Sequence, residues 1–151
     1  MRNTLRYTVP GTRSDETGQR DNGKTFVITE LPADQAERWA LRVLLAVGRA
    51  GVELPEGITA ASLATEAGMA TLAAVGFKAL MSIPWDDAAP LLAEMLSCVQ
   101  YEHASNVPAQ RIMEGAACQI EEAKTFFALR LKVFELHTGF SLPGVSPTSG
   151  Q

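Results

Sequence analysis

The N-terminal part of the chain alternates apolar and polar residues with a period of two. TLRYTV at residues 4–9 and KTFVITE at residues 24–30 each place apolar side chains on one face and are rich in β-branched and aromatic residues. This pattern is typical of half-buried strands. Residues 10–23, between the two runs, are mostly turn formers and charged residues. The pattern therefore predicts a β-hairpin with a long mobile loop.

After Leu31 the apolar spacing becomes helical. Pro32 suits the first turn of a helix, apolar residues then recur every three or four positions, and Gly51 ends the run. The same kind of spacing predicts two further helical regions, one from Thr59 to Met81 and one that begins near Trp85.

Together these elements predict an α+β fold in which helices predominate, with an N-terminal β-hairpin, about four helices and a long C-terminal helix. A second small pair of strands is an option near Gln100 and Ile112, where short runs flank an Asn-Val-Pro turn. The length of 151 residues is that of one domain, which we assign to residues 1–140. Residues 141–151, SLPGVSPTSGQ, are predicted to form a disordered tail.

The closing helix, predicted from about Ala117 to His137, is apolar around most of its circumference. On a helical wheel its apolar residues fall into two stripes that point in different directions. The first stripe is Ile120, Ala123, Phe127, Leu131 and Phe134, and the second is Phe126, Leu129, Val133 and Leu136. Either the other helices wrap this one, or one stripe meets another subunit or a client. We hypothesise that the second stripe makes such a contact.

Other candidate contact residues lie outside this helix. Trp85, at a proline-flanked helix start, is a candidate binding hot spot, because tryptophan often dominates interface energies. Arg38, Arg42 and Arg49 share one helix face, which is either a solvated surface or a docking stripe for acidic or phosphate partners. The net charge of −4 gives no reason to expect a nucleic-acid or membrane-surface partner.

The sequence offers no recognisable catalytic or metal-binding motif. It lacks the common nucleophile, phosphate-loop and dinucleotide signatures. The potential metal ligands lack the close spacing of a zinc site; they are Cys98, His103, Cys118 and His137. We therefore expect no metal and no cofactor, and an enzyme hypothesis has no residues to name, although catalytic residues can be scattered along a sequence. His137 is interpreted instead as part of a helix terminus, with Gly139 as the left-handed residue after the helix and Phe140 as its apolar partner.

The N-terminus and the cysteines bear on location. The chain starts Met-Arg-Asn-Thr without an apolar signal segment, and its two cysteines form no C-x-x-C pair, so a reducing cytoplasm is expected. The most apolar window, residues 67–77, falls short of the roughly 20 residues that a membrane-spanning helix needs.

Two stretches resemble a known family. GKTFVITELPADQAERWALRVLLA at residues 23–46 and VFELHTGF at residues 133–140 are similar to motifs of tail assembly chaperones from tailed bacteriophages and prophages, of the siphophage type. In that family K-x-F-x-[IL]-T-E-[ML]-P-A leads to A-E-x-W-A-x-R, and the last helix closes on V-F-x-L-H-T-G-F. Gly-Met-Ala at 68–70 and Trp-Asp-Asp-Ala at 85–88 also fit the family, whereas residues 11–22 and 141–151 carry no recognisable pattern.

The resemblance implies a non-enzymatic protein of the host bacterial cytoplasm that is absent from the mature virion. Such a protein binds the tape measure protein, keeps it soluble and helps to recruit tail tube subunits. The second apolar stripe adds the expectation of a homo-oligomer. Two other classes stay open: a minor structural tail protein of the tube or terminator type, and a small nucleic-acid-binding regulator that uses the Arg38, Arg42 and Arg49 face.

Overall fold

A computed structural model of the chain describes residues 1–51, 65 and 82–138. In chain order the elements are β1 (Thr4–Thr8), β2 (Thr25–Thr29), α1 (Ala33–Arg49), α2 (Trp85–Leu96), β3 (Val99–Glu102), β4 (Gln110–Arg111) and α3 (Ala123–Thr138). A single 3-10 turn, Gly115–Ala117, precedes α3. None of the helices in these residues is long and apolar enough to span a membrane.

The strands form one antiparallel sheet in the order β1-β2-β3-β4. β1 and β2 pair as the alternation predicts, with Tyr7 opposite Phe26, so the N-terminal hairpin is confirmed. Phe26 also lies opposite Tyr101 of β3, and the two rings are 5.5 Å apart between centroids. Phe26 and Ile28 lie on the face of β2 that packs against α3, and both are completely buried.

The predicted architecture, predominantly helical with about four helices, is wrong for the described residues. They form a mixed α+β arrangement with three helices and a four-stranded sheet. The prediction did not join the strands into one four-stranded sheet, because β3 has four residues and β4 only two, which is too short to show a period. The strands predicted near Gln100 and Ile112 correspond to β3 and β4. They extend the sheet of the N-terminal hairpin instead of forming a separate pair.

The helix predicted after Pro32 is confirmed as α1, and its buried face packs in a cluster with α2. A second and larger cluster joins the sheet to α3 and to Met95 of α2. Trp39 and Leu92 contact both clusters, and the Trp39 indole N–H donates to the Leu91 carbonyl at 3.0 Å. The two clusters are therefore linked through the α1–α2 contact.

The closing helix begins at Ala123, later than the predicted Ala117. The reason is a contact that local sequence does not show. The carboxylate of Asp21, in the β1–β2 loop, accepts the backbone N–H groups of Glu121 at 2.9 Å and Glu122 at 2.8 Å, directly before the helix. Side-chain acceptors and negative charge are favoured at that end of a helix.

Three sequence-based predictions fall outside the described residues. They are the helical region Thr59 to Met81, the cap at Gly139 and Phe140, and the tail 141–151.

Candidate functional site

The predicted contact stripe on the closing helix lies mostly in the core. Leu129 is 0% exposed and Val133 is 2% exposed. Phe126 and Leu136 are half-buried against the same cluster. These side chains pack against the sheet together with Ile120 and Phe134 of the first stripe, so Leu129 and Val133 offer no surface to a partner while the domain is folded. The apolar side chain that α3 does expose belongs to the other stripe: Phe127, at 57%.

The arginine stripe of α1 is exposed but paired with acidic side chains. Arg38 pairs with Asp34 at 3.0 Å, Arg49 lies 3.6 Å from Asp87, and Arg42 pairs with Glu94. Burial alone would raise the pKa of Glu94, but the hydrogen bonds from Arg42 and Gln35 hold it below its ordinary value. The stripe is therefore largely neutralised and is a poor docking surface for phosphate.

Trp85 is the predicted contact residue that the structure exposes at a concave surface. Its side chain is 71% exposed at the first position of α2. It lies at a groove of about 590 Å³ between α2, the segment around the 3-10 turn, and α3. The groove is lined by Trp85, Ala89, Leu92, Ala93, Leu96, Ser97, Arg111, Ile112, Met113, Glu114, Gly115, Cys118, Phe126 and Arg130.

The groove is mainly apolar, and Met113 is 50% exposed in its lining. Ligand sites are commonly apolar concavities of this size with a few polar groups that fix orientation. Tryptophan and methionine side chains that stay in water contribute little to the stability of a fold. The groove is therefore the best candidate for a binding surface in the described part of the chain.

Arg130 supplies a positive charge to this groove. Its Nε–H donates weakly to the Leu92 carbonyl at 3.4 Å, and its guanidinium carbon lies 5.8 Å from the centre of the Phe126 ring. Within the described residues no carboxylate forms an ion pair with it. Burial lowers the pKa of the Arg130 guanidinium from its ordinary value, although an arginine stays charged under all usual conditions.

Sequence reasoning did not select Arg130 or Met113. The signal for Arg130 was a charged residue inside an otherwise apolar arc of the last helix. The segment that carries Met113 had no periodicity to mark it as the wall of a groove.

At the N-terminal end of α3 lies a polar cluster that we call the Asp21 junction, formed by Asp21, Lys24, Glu121, Glu122 and Thr125. Asp21 is 0% exposed and Lys24 is 8% exposed. Besides the backbone contacts to Glu121 and Glu122, the Asp21 carboxylate accepts from Lys24 Nζ at 2.8 Å and from the Thr125 hydroxyl at 2.7 Å. In return the Asp21 N–H donates to the Glu122 carboxylate at 3.2 Å.

The Lys24 ammonium completes the pairing at the Asp21 junction. It donates to the Glu121 carboxylate and to the Gln119 carbonyl, both at 2.8 Å. Burial alone would raise the pKa of Asp21, but hydrogen bonds led by that from Lys24 lower it below its ordinary value. The loop predicted to be mobile is thus anchored at its C-terminal end, and the cluster is a structural tie in which each charged side chain has a hydrogen-bonding partner.

The contacts of His137 and the burial of Cys98 are structural. The His137 Nε2 accepts the Leu31 N–H at 2.8 Å, so its Nδ1–H donates to the Val133 carbonyl at 2.7 Å. Burial raises the pKa of the Cys98 thiol to about 11, which leaves it protonated and unreactive at neutral pH. In the described ranges no three His, Cys, Asp or Glu side chains could hold a metal ion together.

The His137 contact joins the two stretches that carry the family resemblance. Leu31 lies in the strand-to-helix motif at residues 23–46, and His137 lies in the closing motif at residues 133–140. The bonded residues are 106 positions apart. The two motifs therefore meet at one structural joint, the bond between His137 and Leu31. There the last helix holds the residues that lead into α1.

Comparisons of this chain with protein-family models, with curated proteins and with solved structures find no match.

Proposed function

We propose that this protein is a tail assembly chaperone of a tailed bacteriophage or prophage. It acts in the host cytoplasm without catalysis, binds the tape measure protein, keeps that protein soluble and helps to recruit tail tube subunits. The support is the motif resemblance, strengthened by one observation: the two motifs meet through the bond between His137 and Leu31. A shared structural joint gives a physical reason for both motifs to occur together.

The groove supplies the surface that this function needs. A chaperone of this kind must offer apolar side chains to a long and partly apolar client. The groove presents Trp85 and Met113 for that purpose, and the net charge of −4 favours solubility. We assign the client contact to the groove in place of Leu129 and Val133.

Self-association is part of the proposal and uses other surfaces. Leu41 and Leu45, one turn apart on α1, are 48% and 67% exposed, and Phe127 is exposed on α3. Apolar surface of this kind can be covered by a second copy of the chain. Light scattering across a range of concentrations is expected to show a species larger than the monomer.

Co-expression with the tape measure protein of the same phage tests the client contact. The wild-type chain is expected to raise the soluble fraction of the tape measure protein, and the double substitution Trp85→Ala and Met113→Ser is expected to abolish this effect. Val107→Ser is the matched control, because it removes an exposed apolar side chain that neither lines the groove nor belongs to the surfaces assigned to self-association. If the wild-type chain leaves the client insoluble, the proposed function fails.

Purified virions separate the proposal from the structural alternative. We expect mass spectrometry to find no stoichiometric amount of the protein in the mature particle. Its presence in a fixed ratio to the tube protein would identify a minor tail component instead. The nucleic-acid alternative draws no support from the arginine stripe, which is paired with Asp34, Glu94 and Asp87.

A further inference from the structure

The charge of the groove differs from that of the whole chain. Its lining contains two arginines, Arg111 and Arg130, and one acidic residue, Glu114, whereas the protein carries a net charge of −4. A partner segment that enters the groove therefore meets a local excess of positive charge. This favours a segment with a carboxylate over one with a lysine or arginine.

Arg130 is the residue of the groove lining to which we ascribe this preference for a carboxylate. Lys24 and Lys132 are other cations with little exposure, and each has a carboxylate within 3.1 Å. Arg130 has no such partner in the described residues, and its contacts are a carbonyl at 3.4 Å and the Phe126 ring. A half-buried cation without a counter-charge is costly, so a carboxylate brought in by a ligand gains more there than at an exposed arginine.

The shape of the α2 wall suits a helical partner. The α2 side chains in the lining recur at intervals of three and four, and they are Trp85, Ala89, Leu92, Ala93 and Leu96. They form a ridge about 18 Å long at the helical rise. Ala89 and Ala93 leave room for another backbone to approach, and a helix would insert its apolar side chains at the usual anchor spacing.

We propose that the groove takes an amphipathic helix whose apolar face carries one acidic residue at its edge, and that this residue pairs with Arg130. The inference rests on the proposed function, since it gives the chemistry of the client segment. Arg130 is then the residue that selects among apolar helices. The guanidinium can hold a carboxylate through two parallel hydrogen bonds, which a lysine cannot do.

Synthetic peptides test this pairing directly. The probe is an amphipathic peptide of about 18 residues, long enough to form a helix, with leucines at helical spacing and a single Glu at the edge of the apolar face. A second peptide carries Gln at that position. Fluorescence anisotropy with the full chain is expected to show about tenfold tighter binding of the Glu peptide.

Substitution of Arg130 should erase that preference. Arg130→Met keeps an apolar stem and is expected to bind both peptides with the affinity of the wild type for the Gln peptide. Arg111→Met is the matched control and is expected to keep most of the preference. Arg130→Lys should keep part of it. Circular dichroism melts of each variant show that the fold is intact.

The outcomes separate this inference from the proposed function. Equal binding of the two peptides by the wild type, or a preference that survives in Arg130→Met, overturns the pairing and leaves the co-expression result unaffected. A clear Glu preference together with an insoluble tape measure protein supports the pairing and rejects the chaperone function. If Arg130→Met instead converts an oligomer to a monomer, and the Glu peptide competes with assembly, the occupant is a second copy of the chain and the inference fails.

Discussion

The Asp21 junction and the groove both involve α3, but they differ in how their buried charges are paired. At the junction the Asp21 carboxylate and the Lys24 ammonium meet several partners each within 3.1 Å. In the groove Arg130 has no carboxylate partner in the described part of the chain, and Trp85 stays 71% exposed. The paired charges of the junction stabilise the fold, whereas the groove has the features expected of the ligand surface proposed above.

Asp21→Asn should produce the largest change in the free energy of unfolding. The substitution removes one of the two carboxylates that pair with buried Lys24 and weakens the acceptor for two backbone N–H groups, so we expect a loss of about 3–5 kcal/mol. Urea unfolding monitored by circular dichroism measures it. Asp15→Asn, in the same loop but exposed, is the control and should change the value by less than about 0.5 kcal/mol. Equal changes in the free energy of unfolding for the two variants would show that the junction contributes no more to stability than an exposed loop residue.

Leu129→Ala and Phe127→Ala compare the two apolar stripes of α3. Leu129 is fully buried, so we expect a loss of about 3 kcal/mol from the missing methyl groups and the cavity. Phe127 is mostly exposed, and its replacement should cost well under 1 kcal/mol. The same unfolding measurement applies to both. A larger effect at Phe127 would mean that this side chain is covered by another subunit.

Acidification should weaken the junction by a smaller amount, because a protonated Asp21 still forms hydrogen bonds. The pKa of Asp21 is lowered in the folded state, so its contribution is complete above the unfolded value of about 4 and is lost as the pH falls through the folded pKa. The stability difference between wild type and Asp21→Asn should therefore narrow below about pH 4. Urea unfolding at a series of pH values checks this, and a constant difference contradicts it.

Groove substitutions should have the smallest effect on stability. Trp85→Ala combined with Met113→Ser is expected to change the free energy of unfolding by less than about 0.5 kcal/mol, because both side chains are at least half exposed. Differential scanning calorimetry tests this. A drop of several kcal/mol would show that the groove is part of the core, and the loss of client binding in that variant would then have another cause.

The sequence predicted those parts of the fold that a local pattern encodes. β1, β2 and α1 are recovered because their apolar spacing extends over at least five residues. β3 and β4 are short, and their position at the edge of the hairpin depends on pairing with a distant strand. The start of α3 depends on Asp21, which lies 100 residues away from Glu121.

The candidate site was predictable only in part. Trp85 could be selected because of its residue type and its place at a helix start. The stripe of Leu129 and Val133 could not be assigned to core or surface, since a helical wheel gives directions without saying what lies there. Arg130 and Met113 line the same groove only when α3 and the segment before the 3-10 turn are folded against α2.

The Asp21 junction also sets the order in which the chain can fold during its synthesis. The partners of Asp21 on the last helix follow it by 100 to 104 residues. At translation rates of about 5–20 residues per second, the hairpin leaves the ribosome roughly 5–20 s before those partners do. Throughout that interval Phe26 and Ile28 lack the helix that covers them in the finished domain. The protein is proposed to cover apolar segments of another chain, yet during its own synthesis its hairpin exposes apolar residues in the same way.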